Sequence, residues 1–501
     1  RRRSASRAAQ QPVAKAVIFM GACDVSMMVA EEGESGLRVL DILSQPLALG
    51  QDVFLYGNLT LEPMDRCVAI VQGYTGLLAE YRSGGEVPVR LVATNVLLDI
   101  HNLDTITNRL QIACGLQLEV LDDGEMTRLL YLNMQAMLER HEDLEKRRLM
   151  VLHVGPGNTR LLLFDKGRIN FYSSYRVGVS RTYAAMGDAD AGGSDQESSL
   201  ILEHIRGVIE QIHYDAEETG YESPDALVIF GPDFRSIDSP LLEGTGVRTS
   251  DLQSLAEEIA ATPLRRREER YREDYASVGS LLPAAVTYLA LAKEFGMESV
   301  LLPREEFPHS FLRHLLPAHG DDQALEQEVL HFSLLLANRY RVDRAHSQQV
   351  RRLCTALFDQ LQDLHGLSTH DRLLLKVAAV LHEIGTYISP KAHHRHGQYI
   401  ILNSEIFGLS RQDIEIVGLM ARYHRHAAPN MDDRSFAELD QPTRLRVQKL
   451  AALLRVADAM ESAHSHRISG FTVRFNNRRL ELLIPGVHDL TIENLAMRNK
   501  G

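Results

Sequence analysis

Cysteine is scarce in this chain. Only Cys23, Cys67, Cys114 and Cys354 occur among 501 residues, and no two of them form a CxxC pair. Zinc ribbons and disulfide frameworks both need closely spaced cysteines, so neither is indicated. Scattered free thiols favour a protein of the reducing cytoplasm.

Long apolar runs and a basic excess are lacking as well. No run approaches membrane-spanning length, and no apolar signal-peptide core follows the amino terminus. The formal net charge is -13, which excludes a protein-wide positive field for nucleic acid. We therefore expect neither a membrane nor a nucleic-acid partner, and any site for a polyanion has to be a local patch.

The length of the chain predicts several domains, because 501 residues exceed what one core holds. Alternating strand and helix patterns fill the front of the chain, and helical patterns follow a Pro/Gly/Asp-rich linker. The expected segments are a disordered leader (1–13), a first α/β domain (14–137), a second α/β domain (138–316), a helical domain (323–465) and a β-containing tail (466–501).

The stretch that organises the front of the chain is Leu149–Phe164. Two apolar runs flank a tight turn, Gly155–Thr159, which predicts strand, turn, strand. Glycines allow close approach of the backbone, and exposed N–H groups in such a turn suit an anion such as phosphate. Ala16–Val29 repeats the pattern around Gly21. We infer a duplicated α/β unit with a cleft between its copies.

Local signals mark several helices. Ser368 with Asp371, and Ser410 with Asp413, fit capping boxes before apolar runs, and Gly385 fits a helix stop. The charged run Arg265–Arg270 is interpreted as a solvated helix face rather than a polyanion site.

The ordered series of motifs resembles the exopolyphosphatase and guanosine pentaphosphate phosphohydrolase (Ppx/GppA) family. The stretches that carry the resemblance, besides the two hairpins, are Leu91–Asn95, Gly115–Tyr131, Gly178–Arg181, Leu281–Ala285, His382–Gly385 and Tyr423–Arg425. The resemblance implies two ribonuclease-H-like α/β domains of the actin-like superfamily, then a helical HD-like domain and a short β-containing tail. It also implies Mg²⁺, a homodimer, and polyphosphate or a phosphorylated guanosine nucleotide as ligand.

Site residues follow from the same resemblance. Glu125 is the candidate catalytic residue, with Met126 in the second place of a glutamate pair. The candidate phosphate-binding residues are Gly21, Gly155, Gly157, Asn158, Thr159 and Arg181. Alternatively, the three glycines are needed only for backbone geometry, and Thr159 and Arg181 only stabilise the turn.

Departures from the family pattern fall on the groups that would hold magnesium. Phe19 precedes the first turn where the family has aspartate, and His153 and Arg160 stand where the second turn has aspartate and glutamate. Phenylalanine supplies no ligand, histidine binds Mg²⁺ poorly, and Pro156 removes an N–H from the anion cradle. Phosphoanhydride hydrolysis needs a metal ion to neutralise developing charge. We expect a scaffold with a degraded site; an active exopolyphosphatase working through Glu125 is the alternative.

A second set of residues lies in the helical block. His346, His382-Glu383 and Asp458 follow the order of HD-type metal phosphohydrolases, with glutamate for the central aspartate. Imidazole with carboxylate suits a divalent ion and phosphoester hydrolysis. Structural or partner-contacting histidines are the alternative. Five further histidines could add ligands to a second ion or could be structural, and the structural interpretation is favoured. They are His393, His394, His396, His424 and His426.

Overall fold

The computed structural model describes residues 14–33, 36–81, 87–140, 142–186, 194–221, 223–231, 246–271, 275–303, 307–316, 323–425, 428–476 and 479–500. The chain divides into two compact units, a front unit up to residue 319 and a helical unit from residue 320. Among the described residues, no helix combines the length and apolar character that crossing a membrane requires. The leader predicted at residues 1–13 lies outside the described residues.

The first sheet of the front unit has the strand order β3-β2-β1-β4-β5. Its strands are β1 (Ala14–Met20), β2 (Asp24–Gly33), β3 (Gly36–Pro46), β4 (Val89–Ala93) and β5 (Leu118–Val120). The pairs β1–β2 and β2–β3 are antiparallel, whereas β1–β4 and β4–β5 are parallel. The parallel pairs need helical crossovers, so this sheet mixes a meander with βαβ connections.

The second sheet repeats this plan with one strand more, in the order β10-β11-β9-β6-β7-β8. Its strands are β6 (Arg148–Val154), β7 (Thr159–Asp165), β8 (Arg168–Tyr175), β9 (Ala226–Phe230), β10 (Gly246–Arg248) and β11 (Ser299–Leu301). The pairs β6–β7 and β7–β8 are antiparallel, and β6–β9 and β9–β11 are parallel. The repetition of the order 3-2-1-4, with a further parallel strand beside the fourth in each sheet, confirms the predicted duplication.

Helices cover the sheets of the front unit. They are α1 (Leu49–Tyr56), α2 (Leu61–Leu77), α3 (Leu103–Cys114), α4 (Asp123–Leu138), α5 (Glu142–Glu145), α6 (Val179–Met186), α7 (Ser194–Glu218), α8 (Thr249–Ala261), α9 (Leu264–Tyr271), α10 (Tyr275–Glu294) and α11 (Phe307–Leu315), with short 3-10 helices at Leu78–Tyr81 and Asn95–Asp99. The central strands β6 and β9 are buried along most of their length, as expected for strands covered on both faces.

The charged run Arg265–Arg270 forms most of α9, but the prediction of a solvated face is wrong for one member. Arg267 is only 2% exposed, donates to the carbonyl oxygen of Thr262 at 2.7 Å and pairs with Glu197 at 3.0 Å. Glu197 belongs to α7, which is 70 residues away in sequence, so the local pattern could not reveal this partner.

The helical unit contains α12 (Gln323–Arg339), α13 (Arg344–Gln360), α14 (Gln362–His365), α15 (Thr369–Leu381), α16 (His393–Leu402), α17 (Arg411–Tyr423), α18 (Arg434–Ala437) and α19 (Gln441–Met460), with a 3-10 helix at Ile384–Tyr387. Both predicted capping boxes are present, at Ser368 and at Ser410. The predicted helix stop at Gly385 is wrong, because α15 ends at Leu381. A Cβ at Gly385 would lie 2.0 Å from the carbonyl oxygen of His393, so this glycine allows the two segments to approach closely.

The chain ends in a hairpin and a helix. The hairpin pairs β12 (Thr472–Asn476) with β13 (Arg479–Leu483), and α20 (Thr491–Lys500) follows. Residues 477 and 478, between the two strands, lie outside the described residues. The strands confirm the β-containing tail, whereas α20 was not predicted.

Candidate functional site

The first hairpin turn joins β1 to β2 and uses its own polar groups. The N–H of Gly21 donates to the carbonyl oxygen of Asp24 at 2.8 Å. A Cβ on Gly21 would lie 2.6 Å from the Asp24 carboxylate and 3.2 Å from the Asp24 carbonyl oxygen, so glycine fits this turn without displacing Asp24. The same carboxylate accepts hydrogen bonds from Ser26 and Ser44. Phe19, at the end of β1, packs edge-on against Phe311 with ring centroids 5.1 Å apart.

The second hairpin turn joins β6 to β7 and is closed in a similar way. The N–H of Gly155 donates to the carbonyl oxygen of Asn158 at 3.0 Å. Thr159 is 1% exposed, and its hydroxyl donates to the carbonyl oxygen of Val177 at 2.8 Å. Gly155 and Thr159, two of the candidate phosphate-binding residues, therefore use these hydrogen-bond donors within the fold.

Gly157 and Arg181 lie where the two halves of the front unit meet. A Cβ on Gly157 would be 2.9 Å from the Phe54 ring of α1. Arg181 donates to the Gly157 carbonyl oxygen at 3.0 Å and to Asp99 at 2.8 Å, and its guanidinium carbon lies 4.7 Å from the centre of the Phe54 ring. A cation over an aromatic face is attracted to it. Arg181 thus ties the second turn to the first half.

Four side chains converge on one carboxylate oxygen of Asp123, at the start of α4. Arg160 donates at 2.5 Å, Asn95 at 3.0 Å, Asn158 at 3.2 Å and Ser174 at 3.5 Å. Arg160 is only 2% exposed, so its guanidinium charge is removed from water and is matched by this carboxylate. We call Asp123 and these four residues the Asp123 cluster.

His153 lies opposite Arg160 in the register of β6 and β7. Burial, together with the positive charge of Arg160, lowers the pKa of His153 to about 3. Its imidazole is therefore neutral at physiological pH and does not supply a positive charge for phosphate. Burial also lowers the pKa of Arg160. The charge of the Asp123 carboxylate and its hydrogen bond to Arg160 raise that pKa and so oppose the effect of burial.

Glu125, the candidate catalytic residue, caps α4. The Asp122 N–H donates to its carboxylate at 3.0 Å, and the Glu125 N–H donates to the Asp122 carboxylate at 2.9 Å. This reciprocal pair is a capping box. Burial raises the pKa of Glu125, although the backbone hydrogen bond at Asp122 opposes the shift. Met126, the next residue, is 8% exposed within an apolar cluster.

A small cavity lies beside the two turns. Its volume is about 20 Å³, which suits a single water molecule. Its lining residues are Ala22, Cys23, Ala48, Gln51, Ser180, Tyr183, Ala184 and Ser280. All eight are uncharged, so this cavity offers a phosphate chain neither room nor positive charge.

The helical unit brings together the second set of predicted residues. His346 lies in the first turn of α13, His382 and Glu383 follow α15, and Asp458 lies near the end of α19. The side chains of His346, His382 and Asp458 are nearly buried, at 1%, 0% and 8% exposure. The cluster is thus built from three separate helices.

Distances within this cluster suit a metal ion. Nε2 of His346 lies 3.3 Å from Nε2 of His382, and the Asp458 carboxylate lies 3.6 Å and 3.7 Å from these two atoms. With metal–nitrogen bonds of about 2.0–2.1 Å, neighbouring ligand atoms of a tetrahedral site lie roughly 3.3–3.4 Å apart. Glu383 has a carboxylate oxygen within 4.8 Å of ligand atoms of both histidines. We call these four residues the Asp458 cluster.

Hydrogen bonds orient His382 for this role. Its Nδ1 donates to the carbonyl oxygen of Ala379 at 2.9 Å, which leaves the lone pair of Nε2 facing the cluster. Burial opposes ionisation of Asp458, yet hydrogen bonds to His346 and His382 hold its pKa well below the usual range. Burial would lower the pKa of His382, but its interactions with Asp458, the charge of Glu383 and the backbone bond to Ala379 together outweigh burial and raise the pKa. Asp458 is therefore the ionised carboxylate of the cluster.

Two histidines that the sequence did not favour as ligands lie beside this cluster. Nε2 of His393 is 3.2 Å from Nε2 of His424, and the His424 ring centre is 5.1 Å from that of His382. Their pairing spans 31 residues, so no local spacing singled them out from the other histidines. His426, a further candidate ligand, lies outside the described residues.

Two family models match the chain in succession. Residues 28–228 match the Ppx/GppA phosphatase family, and residues 333–486 match Ppx/GppA phosphatase, domain III. The chain belongs to the Ppx/GppA phosphatase family. The actin-like pair of mixed sheets and the helical carboxyl-terminal part, which the resemblance implied, are confirmed.

Relatives of this Ppx/GppA chain span nearly its whole length. It is 22% identical over 480 residues to the guanosine-5'-triphosphate,3'-diphosphate pyrophosphatase of Aeromonas hydrophila, covering 94% of this chain and 92% of the relative. It is 23% identical over 423 residues to the protein of that name from Pseudoalteromonas translucida, covering 82% of this chain and 80% of the relative.

A solved structure of the family shares the fold. An exopolyphosphatase from Cytophaga hutchinsonii aligns with a TM-score of 0.52 and 16% identity, over 60% of this chain and 97% of that one. An exopolyphosphatase-like protein aligns with a TM-score of 0.50 and 17% identity, over 61% of this chain and the whole of that one. At these identities the likeness concerns the fold alone.

Proposed function

We propose that the front unit of this Ppx/GppA-family protein has lost magnesium-dependent phosphoanhydride hydrolysis and acts as a ligand-binding or regulatory scaffold. The observation that carries the proposal is the ion pair between the buried guanidinium of Arg160 and the half-exposed carboxylate of Asp123. A guanidinium occupies a position where the family pattern has a carboxylate, so it removes a metal ligand and adds a fixed positive charge. Phe19 and the neutral His153 take away two further ligands.

The proposed ligand is polyphosphate or a phosphorylated guanosine nucleotide. The support is the activity for which the relatives are named, guanosine-5'-triphosphate,3'-diphosphate pyrophosphatase, and the fold shared with an exopolyphosphatase. The candidate phosphate-binding residues mostly use their donors internally, so a ligand has to exchange those hydrogen bonds for its own. Binding without rapid turnover is therefore the expected behaviour.

Phosphate release by the full chain tests this proposal. With Mg²⁺ and either polyphosphate or guanosine pentaphosphate, we expect no release that depends on Glu125, while calorimetry detects binding. Glu125→Gln is the matched variant, because an amide oxygen can still accept the Asp122 N–H and keep the cap. Magnesium-dependent release that Glu125→Gln abolishes would establish the alternative, an active exopolyphosphatase.

A second candidate function is metal-dependent phosphoester hydrolysis in the helical unit, as in HD-type enzymes. The convergence of His346, His382, Glu383 and Asp458 favours it. A divalent ion in such a site polarises phosphoryl oxygens and acidifies water. Imidazole ligands suit zinc, iron or nickel better than magnesium, so we expect a transition metal there. In this chain Asp458 supplies the charge, and the backbone bond of His382 orients its imidazole.

Metal analysis of the purified full chain, combined with hydrolysis of bis(p-nitrophenyl) phosphate, tests the second candidate. His382→Ala should bind at least one ion fewer per chain than the wild type and should lose hydrolysis, and Glu125→Gln should change neither. An ion count in His382→Ala equal to that of the wild type would contradict the site, whereas metal without hydrolysis would limit it to a structural or regulatory role.

The expected homodimer and cytoplasmic location also remain part of the proposal. Light scattering on the full chain measures the first, and fractionation of the source cells the second. A monomer at micromolar concentration would contradict the dimer.

A further inference from the structure

His393 and His424 form a second buried imidazole pair in the helical unit. His393 begins α16 and His424 directly follows α17. His393 is only 3% exposed and His424 only 1% exposed, and their Nε2 atoms are 3.2 Å apart. The two helices pack closely, so these rings face each other inside the fold rather than in solvent.

The hydrogen bonds of the other ring nitrogens fix the tautomers. Nδ1 of His393 lies 3.0 Å from the carbonyl oxygen of Pro390, and Nδ1 of His424 lies 2.6 Å from that of Ala421. A carbonyl oxygen only accepts hydrogen bonds, so each Nδ1 carries the proton. Turning either ring over would place a carbon atom beside the carbonyl oxygen and lose that bond.

This arrangement leaves two lone pairs pointing at each other. In neutral imidazoles protonated at Nδ1, both Nε2 atoms are acceptors, and two acceptors 3.2 Å apart repel. A further proton would place an imidazolium in a nearly dry site, which burial opposes. A metal ion bound by both Nε2 atoms removes the repulsion, and 3.2 Å is close to the ligand separation of a tetrahedral site, roughly 3.3–3.4 Å.

His365 shows what a purely structural histidine looks like in the same unit. It is 7% exposed, its Nε2 lies 2.9 Å from the Phe358 carbonyl oxygen, and its Nδ1 accepts the Leu367 N–H at 2.9 Å. Both ring nitrogens are thus paired with the backbone. The pair formed by His393 and His424 differs because, among the described residues, the hydrogen-bond contact of each Nε2 is the Nε2 of the other ring.

We propose that Nε2 of His393 and Nε2 of His424 hold a second divalent transition-metal ion beside the one proposed at the Asp458 cluster. The inference rests on that proposed site, since the His424 ring centre is 5.1 Å from that of His382, one of its ligands. Two neighbouring ions of this kind suit a substrate or ligand with a phosphoryl group, because they can neutralise charge on different oxygens.

Metal titration of the full chain tests the proposal. The chelator-stripped protein is dialysed against Zn²⁺ or Co²⁺, and bound metal is counted by mass spectrometry. We expect two ions per chain in the wild type, one in His393→Gln and one in His424→Gln. His365→Gln is the matched control, since it also replaces a buried histidine, and it should retain two. Circular dichroism checks that each variant is folded.

The outcomes separate this inference from the proposed function. One ion in the wild type, unchanged in His393→Gln and His424→Gln, would overturn the second position and leave the Asp458 cluster standing. No ion in the wild type would overturn both. Two ions retained by both folded variants, or none retained by either, would also overturn the second position. The wild-type count and the Co²⁺ absorption spectrum decide even if a variant does not fold.

Discussion

His153 in the front unit and His382 in the helical unit have neighbours of opposite charge. The pKa of His153 falls to about 3 because the ring is buried and faces Arg160. The pKa of His382 rises despite complete burial because its hydrogen bond and charge interaction with Asp458 prevail. His382 faces the Asp458 carboxylate, whereas His153 faces the guanidinium of Arg160, which is itself paired with Asp123. The comparison teaches that the charge of one neighbouring residue decides whether a buried histidine is kept from binding a proton or is favoured to bind one.

The largest effect is expected from removing a ligand of the Asp458 cluster. His382→Ala should weaken transition-metal binding at that cluster at least about a hundredfold, or about 2.8 kcal/mol, because a fixed imidazole donor is lost. Competition with a coloured chelator measures the affinity. An unchanged metal affinity would show that His382 is not a ligand in the Asp458 cluster.

The next effect concerns the Asp123 cluster. Asp123→Ala should lower the free energy of unfolding by about 1–2 kcal/mol, because the nearly buried Arg160 loses its charged partner, although solvent screens the half-exposed Asp123 carboxylate. Arg160→Met, which removes the charge and keeps the volume, should cost less than about 1 kcal/mol. Urea denaturation followed by circular dichroism measures both. If both variants lost the same free energy of unfolding, the cost of leaving the Arg160 charge without its partner would be contradicted.

A smaller effect is expected from pH. The folded chain holds His153 neutral, with a pKa of about 3, whereas an unfolded histidine titrates near pH 6.5. Between these values the unfolded chain binds the extra proton, so acidification favours unfolding. From about pH 6.5 to about pH 5 we expect a loss of about 1.5 kcal/mol from this group. Urea denaturation of His153→Gln at both pH values should show that much less acid sensitivity, and an identical sensitivity would refute it.

The smallest effect is expected at Glu125. Glu125→Gln should change the free energy of unfolding by less than about 0.5 kcal/mol, because glutamine serves in the same position of a capping box. Glu125→Ala should cost about 1 kcal/mol, because it removes the side-chain acceptor for the Asp122 N–H. Thermal melts of the two variants measure the difference. A large loss in the glutamine variant would show that the charge itself matters at this helix end.

Much of the fold follows from local pattern. The apolar runs around Gly21 and Gly155 predicted both hairpins, and the capping boxes at Ser368 and Ser410 predicted two helix starts. The predicted stop at Gly385 failed because a close approach between segments, rather than a left-handed cap, requires that glycine.

The sites were less predictable, since their members meet only in three dimensions. The order of His346, His382 and Asp458 suggested a cluster, and the geometry brings them together. Arg160 was noted as a departure, but its partner Asp123 lies 37 residues away and gave no local signal. His393 and His424 were indistinguishable from the other histidines until the orientation of their rings was known.

Arg160 has one further consequence. A guanidinium on a peptide chain cannot dissociate, so the state of the Asp123 cluster is independent of how much metal the surroundings supply. Neither starvation for an ion nor a change of ion can empty or exchange it. The Asp123 carboxylate therefore keeps a positively charged neighbour, whatever ions become available later.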